Sequence, residues 1–126
     1  MDLLIAAAQK TGVSAYVGDS TQRWPAVNRA DAARLFRIAL EDAAPGRVLH
    51  AVADTGNTMR SLAEAIGRTL AVPVTSASPD DFGVIGQVFA LDMPSSSELT
   101  RQRFSWEPAH PSLIADLDTG GYPIPR

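Results

Sequence analysis

The stretch Gly18-Asp19-Ser20-Thr21-Gln22-Arg23-Trp24-Pro25-Ala26-Val27-Asn28-Arg29-Ala30-Asp31-Ala32-Ala33-Arg34-Leu35-Phe36 decides how this sequence is read. It opens on a turn cluster, Gly18 to Thr21. Trp24 to Val27 follows as an extended piece, because a residue before proline disfavours the helical region. A helix then runs over about residues 30–43. Ala32, Phe36, Ala39 and Ala43 recur at three- and four-residue steps, with Asp31, Arg34, Arg37, Glu41 and Asp42 on the other face. The polar core of the stretch, Gln22 to Arg29, sets two guanidinium groups, an indole and an amide on a stiff backbone. Such a set can line a pocket for an anionic or polar ligand. It equally fits a tryptophan anchored in the core with solvated arginines, and the residue types leave both readings open.

Upstream, Asp2 to Lys10 reads as a helix closed by Gly12, and Ser14 to Val17 as a short strand. Downstream, Pro45-Gly46 stops the long helix, and Arg47 to Ala53 is expected to be a buried strand. Asp54 to Asn57 turns into a second helix over about 58–70, with Thr58 as its N-cap and Met59, Leu62, Ala63, Ile66 and Leu70 as its apolar stripe. Val72 to Thr75 is extended, and Pro73 argues for an edge. Ser78-Pro79-Asp80-Asp81 is a helix start. The segment 82–91 is apolar but is interrupted by Gly83 and Gly86. A short helix is expected from Met93 to about Arg103, an extended Trp106-Glu107-Pro108, and a last helix from His110 to Asp118 capped by Gly120-Gly121. The tail Tyr122 to Arg126 is expected to fray.

The chain has 126 residues, 45% of them hydrophobic and 20% charged. That is one domain with room for a core; it excludes tandem catalytic domains and a collagen-like chain, and the apolar content argues against disorder. A formal net charge of −3 argues against binding nucleic acid through its phosphates. The absence of cysteine excludes disulfides, thiolate zinc sites and a cysteine nucleophile. No apolar run is long enough to span a bilayer, and Asp2 sits where a signal peptide needs positive charge. A cytoplasmic protein is therefore expected. Three or four short strands are few for an autonomous parallel sheet, so the chain reads as part of a larger sheet protein.

Several chemistries lack their residues. Lys10 is the single lysine, so there is no P-loop, and no Gly-x-Ser-x-Gly elbow exists. Gly83-Val84-Ile85-Gly86-Gln87-Val88-Phe89 has Phe89 in place of a third glycine and no strand before it. It reads as a packed helix and not as a dinucleotide turn. His50 reads as a satisfied core histidine and His110 as a surface or capping residue. Asp80-Asp81 reads as favourable charge at a helix start, and Asp116 and Asp118 as a solvated face.

The Gly18–Phe36 stretch resembles the C-terminal half of extended or atypical short-chain dehydrogenase/reductases (SDRs), the NAD(P)-dependent epimerase/dehydratase-like oxidoreductases. The family pattern is a Gly-Asp-Gly turn, an extended segment with histidine, then an acidic helix start followed by alanines. Arg47 to Ala53 resembles its late strand, Met59 to Gly67 the following helix, and Ser96 to Pro108 its Leu-Gly-Trp-x-Pro segment. Asn28 stands where relatives often carry histidine, Ser20 replaces a turn glycine, and Phe104-Ser105 replaces Leu-Gly. The segment around 80–89 is shorter than usual, and the ending is unlike the family's.

The resemblance implies an α/β chain, helix-rich with three or four short strands. It would be the C-terminal part of a Rossmann-like SDR fold over residues 1–126, without the N-terminal dinucleotide-binding βαβ units. It implies a carbonyl- or hydroxyl-bearing small molecule as substrate, with Arg23, Trp24, Pro25, Asn28 and Arg29 lining the substrate side and Arg60 and Ser96 as further candidates. The family's Tyr-x-x-x-Lys pair lowers the tyrosine pKa for proton exchange during hydride transfer. Here Tyr16 is followed four residues on by Ser20 and Tyr122 by Arg126. NAD(P) is implied for the full-length family, with no cofactor or catalytic residue expected on this chain alone. Self-association, or pairing with a separate cofactor-binding half, is the expected alternative role, with no nucleic acid or membrane partner.

Overall fold

A computed structural model describes residues 1–124. Helix α1 (Asp2–Thr11) ends on Gly12, whose φ of 74° lets its N–H reach back to the Ala8 carbonyl. Strand β1 (Ser14–Val17) follows, then β2 (Arg23–Ala26), α2 (Arg29–Asp42), β3 (Asp54–Thr58), α3 (Met59–Leu70) and β4 (Val74–Ala77). A 3-10 segment (Pro79–Ile85) leads into the single-turn α4 (Gly86–Phe89), and α5 (Glu98–Phe104) and α6 (Leu113–Thr119) complete the described fold. The chain is α/β and helix-rich.

The strands form two separate pairs. β1 and β4 run parallel with Ser14 opposite Val74 and Val17 opposite Ala77. β2 and β3 run antiparallel with Arg23 opposite Thr58 and Ala26 opposite Asp54, the register shifting between Trp24 and Ala26. Pro25 sits at that shift, where its missing N–H leaves no ladder bond to lose.

Helix α3 is the centre of the fold. Its Ala65 and Ile66 join Ile5, Ala8 and Leu117 in one core cluster. Its Met59 and Leu62 join Val17 and Phe89 in a second. Of the expected stripe, Met59, Leu62, Ala63 and Ile66 are buried and Leu70 is half-buried against the first cluster, and the Thr58 side chain accepts from the Ser61 N–H as the N-cap. Gly67 lets the helix touch the chain entering β4. A Cβ there would lie 2.6 Å from a Val74 methyl and 3.0 Å from the Val72 carbonyl oxygen.

Four expectations are corrected. No strand forms over residues 47–53. The His50 N–H donates to Thr100 Oγ1 and the Val52 carbonyl accepts from Ser97 Oγ. Side chains in and beside α5 thus satisfy the backbone that a ladder would have used, and pairing begins at Asp54. His50 is exposed and not a core residue. Helix α2 buries Asp31 and Leu35, whereas Phe36 is 69% exposed. The Asp31 face turns inward because Trp106, fully buried, donates Nε1–H to the Asp31 carbonyl oxygen. The helix expected from Met93 begins at Glu98, because the Ser95 N–H is bonded to the Thr55 carbonyl instead.

The segment 82–91 is 3-10 followed by one α turn, broken at Gly83 with φ 61° and ψ −144°. Of the tail, Tyr122 and Ile124 pack against the α1–α3–α6 core. Pro125 and Arg126 lie outside the described residues. No described helix is long and apolar enough to cross a membrane.

Candidate functional site

The segment 91–96 lies across the β2–β3 ribbon. The Trp24 indole N–H donates to the Leu91 carbonyl at 3.0 Å, the Met93 N–H to Arg23 O at 2.9 Å and the Ser95 N–H to Thr55 O at 3.0 Å. Between ribbon and segment is a depression of about 340 Å³ lined by Arg23, Thr55, Gly56, Pro94, Ser95 and Ser96. Gly56 forms its floor, since a Cβ there would stand 3.1 Å from Arg23 Cβ and 3.6 Å from Pro94 Cβ.

Arg23 is held from two directions. Its backbone N–H donates to Asp92 Oδ1 at 2.7 Å, and its guanidinium donates through Nε to Oδ1 at 3.2 Å and through Nη2 to Oδ2 at 2.9 Å. These bonds raise the Arg23 pKa and, with the Arg23 charge, lower that of Asp92. The pair is half exposed. Its two charges offset each other, so the depression offers oriented N–H and hydroxyl donors and not a net positive field. Such a surface suits a polar, hydroxyl-bearing molecule better than a polyanion.

At the rim, His50 Nδ1 lies 2.9 Å from the Ser96 carbonyl oxygen and 3.3 Å from Ser95 Oγ. A carbonyl can only accept, so Nδ1 is the donor toward the Ser96 oxygen. The Ser95 hydroxyl is consequently not activated by this histidine. Asp92, Thr55 and Ser95 join the site only through folding, and their positions in the chain carried no pattern that marks them.

The seven residues expected on the substrate side are divided. Arg23 and Ser96 share the depression. Trp24 is half-buried with its ring 5.6 Å from that of Phe89, so it serves as an anchor of the core. Pro25 makes the register shift of β2. Asn28 caps α2 by accepting from the Ala30 N–H at 2.9 Å, and with Arg29 it lines a different cavity. Arg60 pairs with Glu64 at 2.8 Å on α3 and stands over the Tyr16 ring.

The segment with Gly83 and Gly86 does not form a dinucleotide turn. A nucleotide turn leaves backbone N–H groups bare to a pyrophosphate. Gly86 is instead packed on Pro79, whose carbonyl oxygen would lie 1.7 Å from a Cβ at that position. No step through NAD(P) is therefore assigned to this chain. Among the described residues no three metal-ligating side chains converge.

The α/β fold is similar to part of one solved enzyme. A dTDP-glucose 4,6-dehydratase from Streptomyces venezuelae, solved with NAD and TYD bound, superposes with a TM-score of 0.70 at 16% identity. That superposition covers 93% of this chain and 35% of the dehydratase. Two uncharacterized fungal proteins are similar in sequence. One, from Schizosaccharomyces pombe, is 43% identical over 95% of this chain and 42% of its own length. The other, from Saccharomyces cerevisiae, is 40% identical over 91% of this chain and 40% of its own length. The chain thus spans about two fifths of the curated relatives it matches. No protein-family model matches it.

Proposed function

We propose that this chain is the substrate-side segment of an SDR-like oxidoreductase or epimerase. It binds a polar carbonyl- or hydroxyl-bearing small molecule in the Arg23–Ser96 depression and does not transfer hydride by itself. The observation that carries the reading is the Asp92-braced Arg23, set beside the Ser95 and Ser96 hydroxyls in one concave site of an SDR-like fold. Asp92 fixes the guanidinium plane, Gly56 lets the Arg23 and Pro94 side chains close over the ribbon, and the serines donate to the ligand's oxygens. In Arg23→Gln the bidentate brace is lost. Binding of a polyhydroxylated ketone, followed by calorimetry, is expected to weaken about tenfold, the equivalent of about 1.4 kcal/mol. Unchanged affinity in that variant contradicts the assignment.

The exposed apolar face of α2 favours a second role, that of an interaction module. Phe36 is 69% and Leu40 88% exposed one turn apart, and Val48 beyond the helix is 82% exposed. Apolar side chains displayed in this way mark interfaces. Light scattering that shows a monomer, with little binding of a hydrophobic dye, counts against this role.

A further inference from the structure

Beyond the far end of β2 lies a larger cavity, of about 550 Å³, within the range of about 300–1,000 Å³ usual for small-molecule sites. Val27, Leu113 and Ile124 give it an apolar wall, and Arg29 and Asp116 line it as well. Of the nine described arginines, six are ion-paired: Arg23, Arg34, Arg37, Arg60, Arg68 and Arg101. Arg29 is not, and its guanidinium has no hydrogen-bond or ion-pair partner among the described residues. Asp116 is half-buried, and among the described residues its carboxylate accepts a single long bond, from Asn28 Nδ2 at 3.4 Å. The third charged group, Asp2, already accepts from the Tyr122 hydroxyl at 2.8 Å.

Among the described residues, a cation with no ion-pair or hydrogen-bond partner and a carboxylate with one long bond therefore face one cavity without pairing with each other. We infer that this cavity binds the zwitterion of an α-amino acid with an apolar side chain. Its carboxylate lies on Arg29, its ammonium on Asp116 and its side chain against Val27, Leu113 and Ile124. A simple anion would meet the carboxylates of Asp2 and Asp116, and a simple amine would meet Arg29. Only a ligand carrying both charges satisfies both groups. The site is separate from the Arg23 depression and does not depend on the substrate reading.

L-Leucine titrated into the whole chain and followed by ¹H–¹⁵N NMR tests it. Saturable shifts are expected at Arg29, Gly121 and Tyr122. Affinity should fall about tenfold or more in Arg29→Gln and in Asp116→Asn, and about tenfold or more for 4-methylpentanoate and isopentylamine, which each lack one charge. Arg29 is exposed at the start of α2, so its variant keeps the fold. If Asp116→Asn unfolds, the three probes on the unaltered chain decide. The inference is overturned if leucine gives no saturable shift up to about 10 mM, a binding free energy of only about −2.7 kcal/mol. It is also overturned if the two single-charge probes bind as well as leucine, or if the shifts fall on the Arg23 depression.

Discussion

Asp31 is the residue on which the packing of α2 turns. It is fully buried, and burial pushes its carboxyl up. The Ala109 and His110 backbone N–H groups and the His110 ring outweigh that and hold it at about 2, against an ordinary 3.8. A carboxylate with a depressed pKa stabilises the fold above its unfolded value and loses that contribution as pH falls through the folded one. At about 1.4 kcal/mol per pKa unit, Asp31 contributes on the order of 2 kcal/mol, present above pH ~4 and lost between about pH 4 and 2. Urea midpoints from pH 5 to 2 should fall steeply in the natural chain and more gently in Asp31→Asn. Parallel curves would contradict this role. Ser20 is strained in the opposite sense, with φ at +66°, a left-handed conformation that costs an L-residue about 1–2 kcal/mol. Ser20→Gly is expected to stabilise by about 1 kcal/mol in thermal melts. The need for a turn residue here was visible in the sequence, because Ser20 follows Gly18-Asp19. The burial of Asp31 was not, since a carboxylate on a helix face gives no sign that two N–H groups from residues 109 and 110 will meet it.

At the scale of elements, local signals were sufficient wherever a helix carried its own cap and stripe. Gly12 and Thr58 marked helix ends, and the stripe of α3 was readable because that helix packs on both core clusters. The segment 47–53 misled because an apolar run is compatible with a strand or with a covered loop, and α5, distant in sequence, supplied the competing hydrogen bonds. The junction between the 3-10 segment and α4 depends on Gly86. A methyl there would collide with the Pro79 carbonyl, so Gly86→Ala should destabilise by about 3 kcal/mol or more, as overpacking against rigid backbone does. Circular dichroism melts check this, and a melting temperature within a degree or so of the natural chain would contradict the packing. Trp106, sealed beneath α2, is expected to emit at shorter wavelength than the half-buried Trp24. Trp106→Phe should therefore red-shift the remaining fluorescence, whereas Trp24→Phe should blue-shift it.

For the whole molecule, the cluster Gln22 to Arg29 stood out in the sequence as a candidate site, but its division did not. A strand reverses its side chains at every residue, and Pro25 shifts the register within it. Arg23, on β2, lines one concavity, whereas Asn28 and Arg29, at the start of α2, line another. The partners of Arg23 come from residues 55–56 and 92–96, which only the crossing of the 91–96 segment over β2 and β3 assembles. The most direct test is a ¹H–¹⁵N NMR titration with a polyhydroxylated ketone in the presence of NADH, with the nicotinamide protons followed in the same samples. The account predicts saturable shifts at Arg23, Thr55, Gly56, Ser95 and Ser96, with NADH unconsumed. Turnover of NADH, or ketone-induced shifts that leave these five residues unmoved, would contradict it.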